Sequence, residues 1–113
     1  MTITVHKRPL IVTLCGSTRF REAWAEAYAR ESDAGHIVLT VSRLTPEHGI
    51  ERMDPVAKDR RDELHLRKID FSDEILVLNV GGYIGESTRR EIAYAQEHGK
   101  AIRYLETLPV DMP

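Results

Sequence analysis

The residues best suited to chemistry lie in one stretch, VGGYIGESTRREI, which covers residues 80–92. It combines a glycine-rich turn with two hydroxyls, Ser87 and Thr88, and a carboxylate three residues further on, Glu91. Glycine lets a ligand approach the backbone closely, and N–H groups and hydroxyls at the start of a helix favour an anion. The spacing differs from the dinucleotide fingerprint, and no lysine follows the last glycine as in a Walker P-loop. The stretch predicts an anion-binding turn with an acid beside it.

A second candidate anion site, Gly16-Ser17-Thr18, follows an apolar run near the N-terminus. A strand is expected to turn into a helix here, so backbone N–H groups and the helix dipole favour an anion and a hydroxyl adds a donor. The alternative is that one hydroxyl simply caps the helix. A cap can also donate to a phosphate, so the two roles are compatible.

Glu91 has two alternative roles. Thr88-Arg89-Arg90-Glu91 fits the capping-box pattern, in which the glutamate side chain reaches back to the N-terminal backbone of the helix. In the functional alternative, Glu91 faces a ligand held by Ser17 and Gly85. Such a carboxylate can attack an anomeric carbon and form a glycosyl-enzyme intermediate.

The histidines and the cysteine do not predict a metal centre. The five histidines show no i,i+3 or i,i+4 pairing, so we expect no metal. His65 is expected to point toward the same end of the sheet as the glycine turns, with an ordinary structural role as the alternative. The single cysteine, Cys15, has no evident activating base beside it in the sequence, so a packing role is expected.

The elements that must position these residues alternate along the chain. Apolar runs predict strands at 10–15, 36–41, 74–80 and 100–105, and helical spacing predicts helices at 18–33, 56–69 and 88–98. The alternation predicts an α/β fold, a small three-layer flavodoxin/Rossmann-like sandwich with a four- to five-stranded parallel sheet. Its ligand crevice should lie at the carboxyl ends of strands 1 and 3, where both glycine turns fall.

Length and composition limit the class of protein. The chain has 113 residues, which we interpret as one domain (1–113) with tails at 1–8 and 107–113. A net charge of −2 gives no basic field for nucleic acid. One cysteine and no long apolar stretch predict a cytoplasmic protein without a membrane span. The longest irregular segment, Ser42 to Pro55, has the length of a functional lid.

Together these residues resemble the nucleoside 2-deoxyribosyltransferase superfamily. The resemblance rests on Leu14-Cys15-Gly16-Ser17 before a helix, on the strand Ile75-Leu76-Val77-Leu78-Asn79, and on Glu91-Ile92-Ala93 after a glycine turn. It spans most of residues 10–105 and is closest to the 2′-deoxynucleoside 5′-monophosphate N-glycosidases. That family has a small flavodoxin-like fold, and its members cleave the bond between base and (deoxy)ribose.

The resemblance implies a role for each matched residue. The family's nucleophilic glutamate falls on Glu91. A family aspartate, which orients the ribose or protonates the leaving base, falls at or near His65, with Asp62 and Asp70 flanking it. For substrate binding the resemblance implies Ser17 and Ser87, with Thr88 beside it. The remaining predicted binding residues belong to the two glycine turns: Gly16, Thr18, Arg19, Gly82 and Gly85. The resemblance implies no metal or organic cofactor, and relatives pair their subunits, so a homodimer is expected.

Three functions follow from these observations. The first is cleavage of an N-glycosidic bond in a nucleoside 5′-monophosphate or nucleoside, by hydrolysis or by sugar transfer, through Glu91. The second is a nucleotide-binding or sensing module of the same fold without turnover. The third is a small α/β scaffold in which Thr88 and Glu91 only cap a helix.

Overall fold

Four strands and three α-helices alternate along the chain in the computed structural model, which describes residues 8–41 and 54–108. The strands are β1 (Ile11–Cys15), β2 (Ile37–Leu39), β3 (Glu74–Val77) and β4 (Ala101–Tyr104). The helices are α1 (Arg21–Asp33), α2 (Pro55–Phe71) and α3 (Glu86–Glu97), and a 3₁₀ turn covers Val80–Gly82. The predicted α/β class is confirmed.

The four strands form one parallel sheet in the order β2-β1-β3-β4. Ile11 of β1 pairs with Ile37 of β2, and Thr13 pairs with Ile75 of β3. The apolar, β-branched sequence of β1 suits its central place, where neighbouring strands lie on both sides. The strand order reverses between β1 and β3, so the predicted switch point is confirmed.

Helices cover both faces of the sheet. Alternate strand residues point to opposite faces, and one face packs against α1 through Val12, Leu14, Leu76, Leu78, Trp24 and Ala27. The other face packs against α2 and α3 through Cys15, Ile75, Val77, Ile69 and Ala95. The result is the predicted three-layer sandwich.

Both capping predictions are wrong. Helix α1 begins at Arg21 with Phe20 as its N-cap, and α3 begins at Glu86 with Gly85 as its N-cap. Neither N-cap residue makes a side-chain hydrogen bond to its helix. Thr88 is therefore the third residue of α3, and Glu91 lies in the second helical turn, where a capping box has no place.

Two further boundaries differ from the sequence prediction. Helix α2 begins at Pro55, and the Asp54 carboxylate caps it by accepting a hydrogen bond of 3.1 Å from the Val56 N–H. This follows the preference for an acidic N-cap and for proline in the first turn. Strand β3 ends at Val77, before the backbone turns into the 3₁₀ segment.

Most of the predicted lid and of both predicted tails falls outside the described residues; the last two lid residues, Asp54 and Pro55, cap and begin α2. Arg8, at the edge of the N-terminal tail, makes two hydrogen bonds to the Asp73 carboxylate, at 2.8 and 2.9 Å. In the part of the chain that is described, no helix is long and apolar enough to cross a bilayer.

Candidate functional site

A cavity of about 310 Å³ lies where the chain leaves β1 and β3. Its walls come from the β1–α1 turn, from one face of α2 and from the start of α3. Predicted site residues in its lining are Gly16, Ser17, Thr18, Asp62, His65, Gly85, Ser87, Thr88 and Glu91. The structure thus brings together predicted residues from three separate parts of the chain, in a volume at the small end of the range for ligand sites.

Three side chains meet in the buried part of this site: Cys15 from β1, His65 from α2 and Glu91 from α3. The Cys15 Sγ lies 3.5 Å from the His65 Nε2. The same nitrogen lies 3.9 Å from the Glu91 Oε1. We call this group the C-H-E cluster. Within it, the Cys15 thiol and the Glu91 carboxyl group each affect the ionisation of the other.

Burial controls the charge of Glu91. Its side chain is only 15% exposed, and this loss of hydration raises its pKa from 4.5 to about 7. The Cys15 thiol and the Arg90 guanidinium act in the opposite direction, while the charge of Asp62 adds to the rise. The carboxyl group is therefore about half ionised at neutral pH, which suits proton transfer or nucleophilic attack.

His65 is neutral at the same pH. Burial, followed by the charge of Lys68, lowers its pKa from 6.5 to about 4, against the opposing effect of the Leu14 carbonyl. Its Nδ1 is buried and has no hydrogen-bond partner among the residues that the structure describes. The contact between His65 and Glu91 is therefore not an ion pair at neutral pH, because the imidazole is neutral and the carboxyl group is only partly ionised.

Cys15 is a buried thiol with a raised pKa. It is fully inaccessible to solvent, and burial, together with the neighbouring Glu91 carboxylate, raises its pKa well above 9.0. The thiol stays protonated at neutral pH in the isolated site. Cys15 therefore contacts an ionisable side chain, His65, in addition to the apolar residues packed around it.

The first turn of α3 faces the cavity without a side-chain cap. Gly85, Glu86, Ser87 and Thr88 all contribute to the lining. The first N–H groups of a helix have no partner within the helix and carry its positive dipole end. With the Ser87 hydroxyl beside them, these groups can hold an anion such as a phosphate.

Arg19 and Tyr83 join the two glycine turns at the cavity rim. The Arg19 guanidinium donates to the Ser17 Oγ at 3.1 Å and to the Tyr83 hydroxyl at 3.0 Å. It also lies over the Tyr83 ring, 4.4 Å from the centroid. Arg19 is exposed and absent from the cavity lining. It contacts two residues of the lining, and the direct binding role predicted for it stays a prediction.

One face of α2 supplies charge to the cavity. Lys58, Arg61, Asp62, His65 and Lys68 all line it, at the three- and four-residue spacing of one helical face. Asp62 accepts a hydrogen bond of 2.8 Å from the Lys58 Nζ, and the Lys68 Nζ donates to the Thr40 carbonyl at 2.6 Å. The predicted partner acid, Asp62, is thus present at the site and paired with a lysine.

The glycine turn after β3 is held from its far side. Gly81 and Gly82 adopt φ angles of 61° and 80°, a region that favours glycine. The Gly81 N–H donates to a Glu106 carboxylate oxygen at 2.8 Å, and the Asn79 side chain makes two hydrogen bonds to the Glu106 backbone. Gly82 does not line the cavity; its effect is to shape the turn that carries Tyr83 and Gly85.

Sequence reasoning missed Cys15 as a member of the C-H-E cluster. It also missed seven residues of the lining: Val41, Lys58, Arg61, Leu64, Lys68, Tyr83 and Glu86. The signal for the lysines was the recurrence of polar residues along one face of α2, which the sequence analysis had not linked to the cavity. Nothing local marks Cys15, because its two partners lie 50 and more residues away.

Comparison of the chain with protein-family models gives no match, and comparison with curated protein sequences gives none either. Membership of the nucleoside 2-deoxyribosyltransferase superfamily therefore stays a prediction from the motifs.

Proposed function

We propose that this chain cleaves the N-glycosidic bond of a nucleoside 5′-monophosphate or nucleoside, by hydrolysis or by transfer of the sugar, with Glu91 as the nucleophile. The observation that carries the proposal is the buried Glu91 carboxyl group in the wall of a cavity that also offers an uncapped helix start. A carboxylate for the sugar and an anion site for the phosphate are the two requirements of this reaction.

The reaction proceeds in two steps. The ionised Glu91 carboxylate attacks C1′, forming an ester bond while the C1′–N bond breaks and its electron pair passes to the base. The base takes up a proton from solvent, since His65 is neutral in the free site. Water then attacks C1′, which releases the sugar, restores the carboxylate and returns a proton. In transfer, a second base replaces the water.

Substrate binding divides between the two glycine turns and α2. The uncapped N–H groups of α3, with Ser87 and Ser17, hold the 5′-phosphate, and Arg61 adds positive charge. Asp62, paired with Lys58, orients the sugar hydroxyls. On this basis Ser87→Ala raises KM for monophosphates about tenfold, the cost of one hydrogen bond to a charged group, and leaves KM for free nucleosides nearly unchanged.

The test is release of free base from ribo- and deoxyribonucleoside 5′-monophosphates and the matching nucleosides, followed by chromatography. We expect turnover in the unmodified protein and a loss of at least about a thousandfold in Glu91→Gln, the size typical for loss of a nucleophile. Glu97→Gln is the matched control, because Glu97 is an exposed glutamate at the end of the same helix. Equal activity in the two variants would contradict the proposal.

The second candidate function is a nucleotide-binding module without turnover. The observation that favours it is the burial of His65, which lowers its pKa to about 4. Of the residues that the structure describes, the imidazole beside Glu91 is therefore neutral at pH 7 and does not assist the leaving base as a charged acid. This candidate predicts saturable nucleotide binding by calorimetry with no base release in any variant. Binding and release measured on the same preparation therefore separate the two functions.

A further inference from the structure

We propose that Cys15, His65 and Glu91 form a binding site for a thiophilic divalent cation of the Zn²⁺ class. The proposal concerns metal binding at the C-H-E cluster. It goes beyond the proposed glycosidase activity, which needs no metal.

The distances within the cluster are close to those of a zinc site. One ligand atom from each residue lies within 4.8 Å of the other two. In a tetrahedral site with Zn–S bonds of about 2.3 Å and Zn–N or Zn–O bonds of about 2.1 Å, ligand atoms lie roughly 3.4–3.6 Å apart. The Sγ–Nε2 separation is already 3.5 Å. The Nε2–Oε1 separation of 3.9 Å needs a closure of about half an ångström, within reach of a Glu91 side-chain rotation.

The donor set selects the kind of cation. Thiolate, imidazole and carboxylate are the three ligand types that zinc takes in proteins, whereas Mg²⁺ and Ca²⁺ prefer oxygen alone. Binding therefore releases the Cys15 thiol proton to solvent, together with any proton on Glu91. Three protein ligands leave a fourth position free. His65 and Glu91 both line the cavity, so this fourth position opens toward it and a water molecule or a ligand group can fill it.

The fold holds the three ligands in place before any cation binds. Cys15 lies on the central strand β1, His65 on α2 and Glu91 on α3. The two helices pack on the face of the sheet to which the Cys15 side chain points. Cys15 is 0% exposed and His65 only 5%. Within residues 8–41 and 54–108, this is the one group of three such side chains with ligand atoms this close.

Metal binding would compete with the proposed reaction. A cation bound to the Glu91 carboxylate removes the electron pair that attacks C1′, so Zn²⁺ should inhibit base release and a chelator should restore it. This consequence rests on the proposed function. The binding itself does not, because it is measured without substrate.

The test is titration of untagged, chelator-treated, reduced protein with Co²⁺, which reports its ligands by absorption. Cys15 is the only cysteine in the chain, so a thiolate-to-cobalt charge-transfer band in the near ultraviolet identifies it as a ligand. We expect one Co²⁺ per chain, tetrahedral absorption bands in the visible, and displacement of the cobalt by Zn²⁺. We also expect Zn²⁺ to raise the Tm, since a cation bound to the folded state stabilises it.

The variants separate this site from adventitious binding. Cys15→Ser should abolish the charge-transfer band, and Glu91→Gln should weaken Co²⁺ binding at least tenfold. His98→Gln and Glu97→Gln, at exposed positions near the end of α3, should bind as the unmodified protein does. Circular dichroism tests whether each variant is folded. If Cys15→Ser does not fold, the Co²⁺ affinity of Glu91→Gln tests the proposal. Absence of the band in the unmodified protein, or unchanged affinity in Glu91→Gln, would overturn the proposal.

Discussion

At the scale of single residues, the ionised carboxylate that the proposed reaction needs at Glu91 lowers the stability of the fold. Burial favours its neutral form and raises its pKa from 4.5 to about 7. One pKa unit corresponds to about 1.4 kcal/mol, so holding this group ionised in the folded state costs roughly 3 kcal/mol. Functional sites commonly carry a cost of this kind, which substitution can remove.

We therefore predict that Glu91→Gln raises the free energy of unfolding more at pH 8 than at pH 5, relative to the unmodified protein. The folded state holds a proton on Glu91 between about pH 4.5 and 7 that the unfolded state has released. Over that range the Glu91 contribution to the free energy of unfolding decreases as pH rises. His65, whose folded-state pKa of about 4 lies below its ordinary 6.5, contributes in the opposite direction in both the unmodified protein and the variant. Urea titrations at pH 5 and pH 8, with metal removed, measure the difference. The exposed Glu97→Gln variant should behave as the unmodified protein, and a parallel slope in Glu91→Gln would contradict the prediction.

The same pKa predicts the pH dependence of catalysis. In the proposed reaction only the ionised carboxylate attacks C1′, so kcat/KM should rise about tenfold per pH unit below pH 7 and level off above it. The profile is measured with a nucleoside, whose charge does not change in this range as a phosphate's does. An acid limb centred near pH 4.5 would show that a hydrated carboxylate, and not the buried Glu91, controls the rate.

At the scale of elements, Asp73 fixes the starts of the two central strands to each other. Its carboxylate accepts hydrogen bonds from the Arg8 guanidinium and, at 2.8 Å, from the Ile11 N–H at the beginning of β1. Because Asp73 directly precedes β3, it aligns the two strands whose far ends carry the cavity. The Arg8 hydrogen bond, followed by that from Ile11, lowers the pKa of Asp73 from 3.8 to about 2.

We predict that Asp73→Asn destabilises the protein at pH 7 and that this difference disappears in acid. The folded-state pKa lies below the unfolded one, so the carboxylate contributes its full stability above about pH 4. That contribution is lost as pH falls through about 2. Urea midpoints between pH 7 and pH 2 test this, with the exposed Asp33→Asn as a control expected to change little. A difference that persists at pH 2 would mean that the effect does not depend on the charge of Asp73.

The elements also show why sequence predicts some features and not others. The strands were predictable because buried parallel strands are continuous apolar runs, as in IVTLC of β1. The helix starts were not, since Ser17 and Thr88 have the residue types of caps while Phe20 and Gly85 occupy the N-cap positions. The preference of Ser and Thr for the N-cap position is weak compared with the constraints of the whole fold, which leave the first turn of α3 without a side-chain cap.

At the scale of the whole molecule, the site exists only when the complete fold has formed. Positions 15, 65 and 91 come from β1, α2 and α3. The crevice could be predicted from strand order, because parallel topology brings the carboxyl ends of β1 and β3 to one edge. The C-H-E cluster could not, since it depends on the rotation of α2 and α3 against the sheet, which periodicity alone does not give.

This dependence makes Cys15 a probe of global unfolding. The thiol is 0% exposed, lies on the central strand and is covered by residues of α2 and α3. A thiol reagent should therefore reach it only after those helices detach. We predict that the free energy of opening, calculated from labelling rates in the native and unfolded states, equals the free energy of unfolding from circular dichroism. Mass spectrometry of the alkylated chain measures the labelling.

An exposed thiol calibrates the measurement. Ser32→Cys in a Cys15→Ser background places the reactive group on the surface of α1, and it should label at nearly the unfolded rate. If Cys15 labels with a smaller free energy than global unfolding, the helices open locally over the C-H-E cluster. Such opening would give a cation or a water molecule a route to Glu91 that bypasses the cavity. Zn²⁺ added before the reagent should then slow the labelling of Cys15.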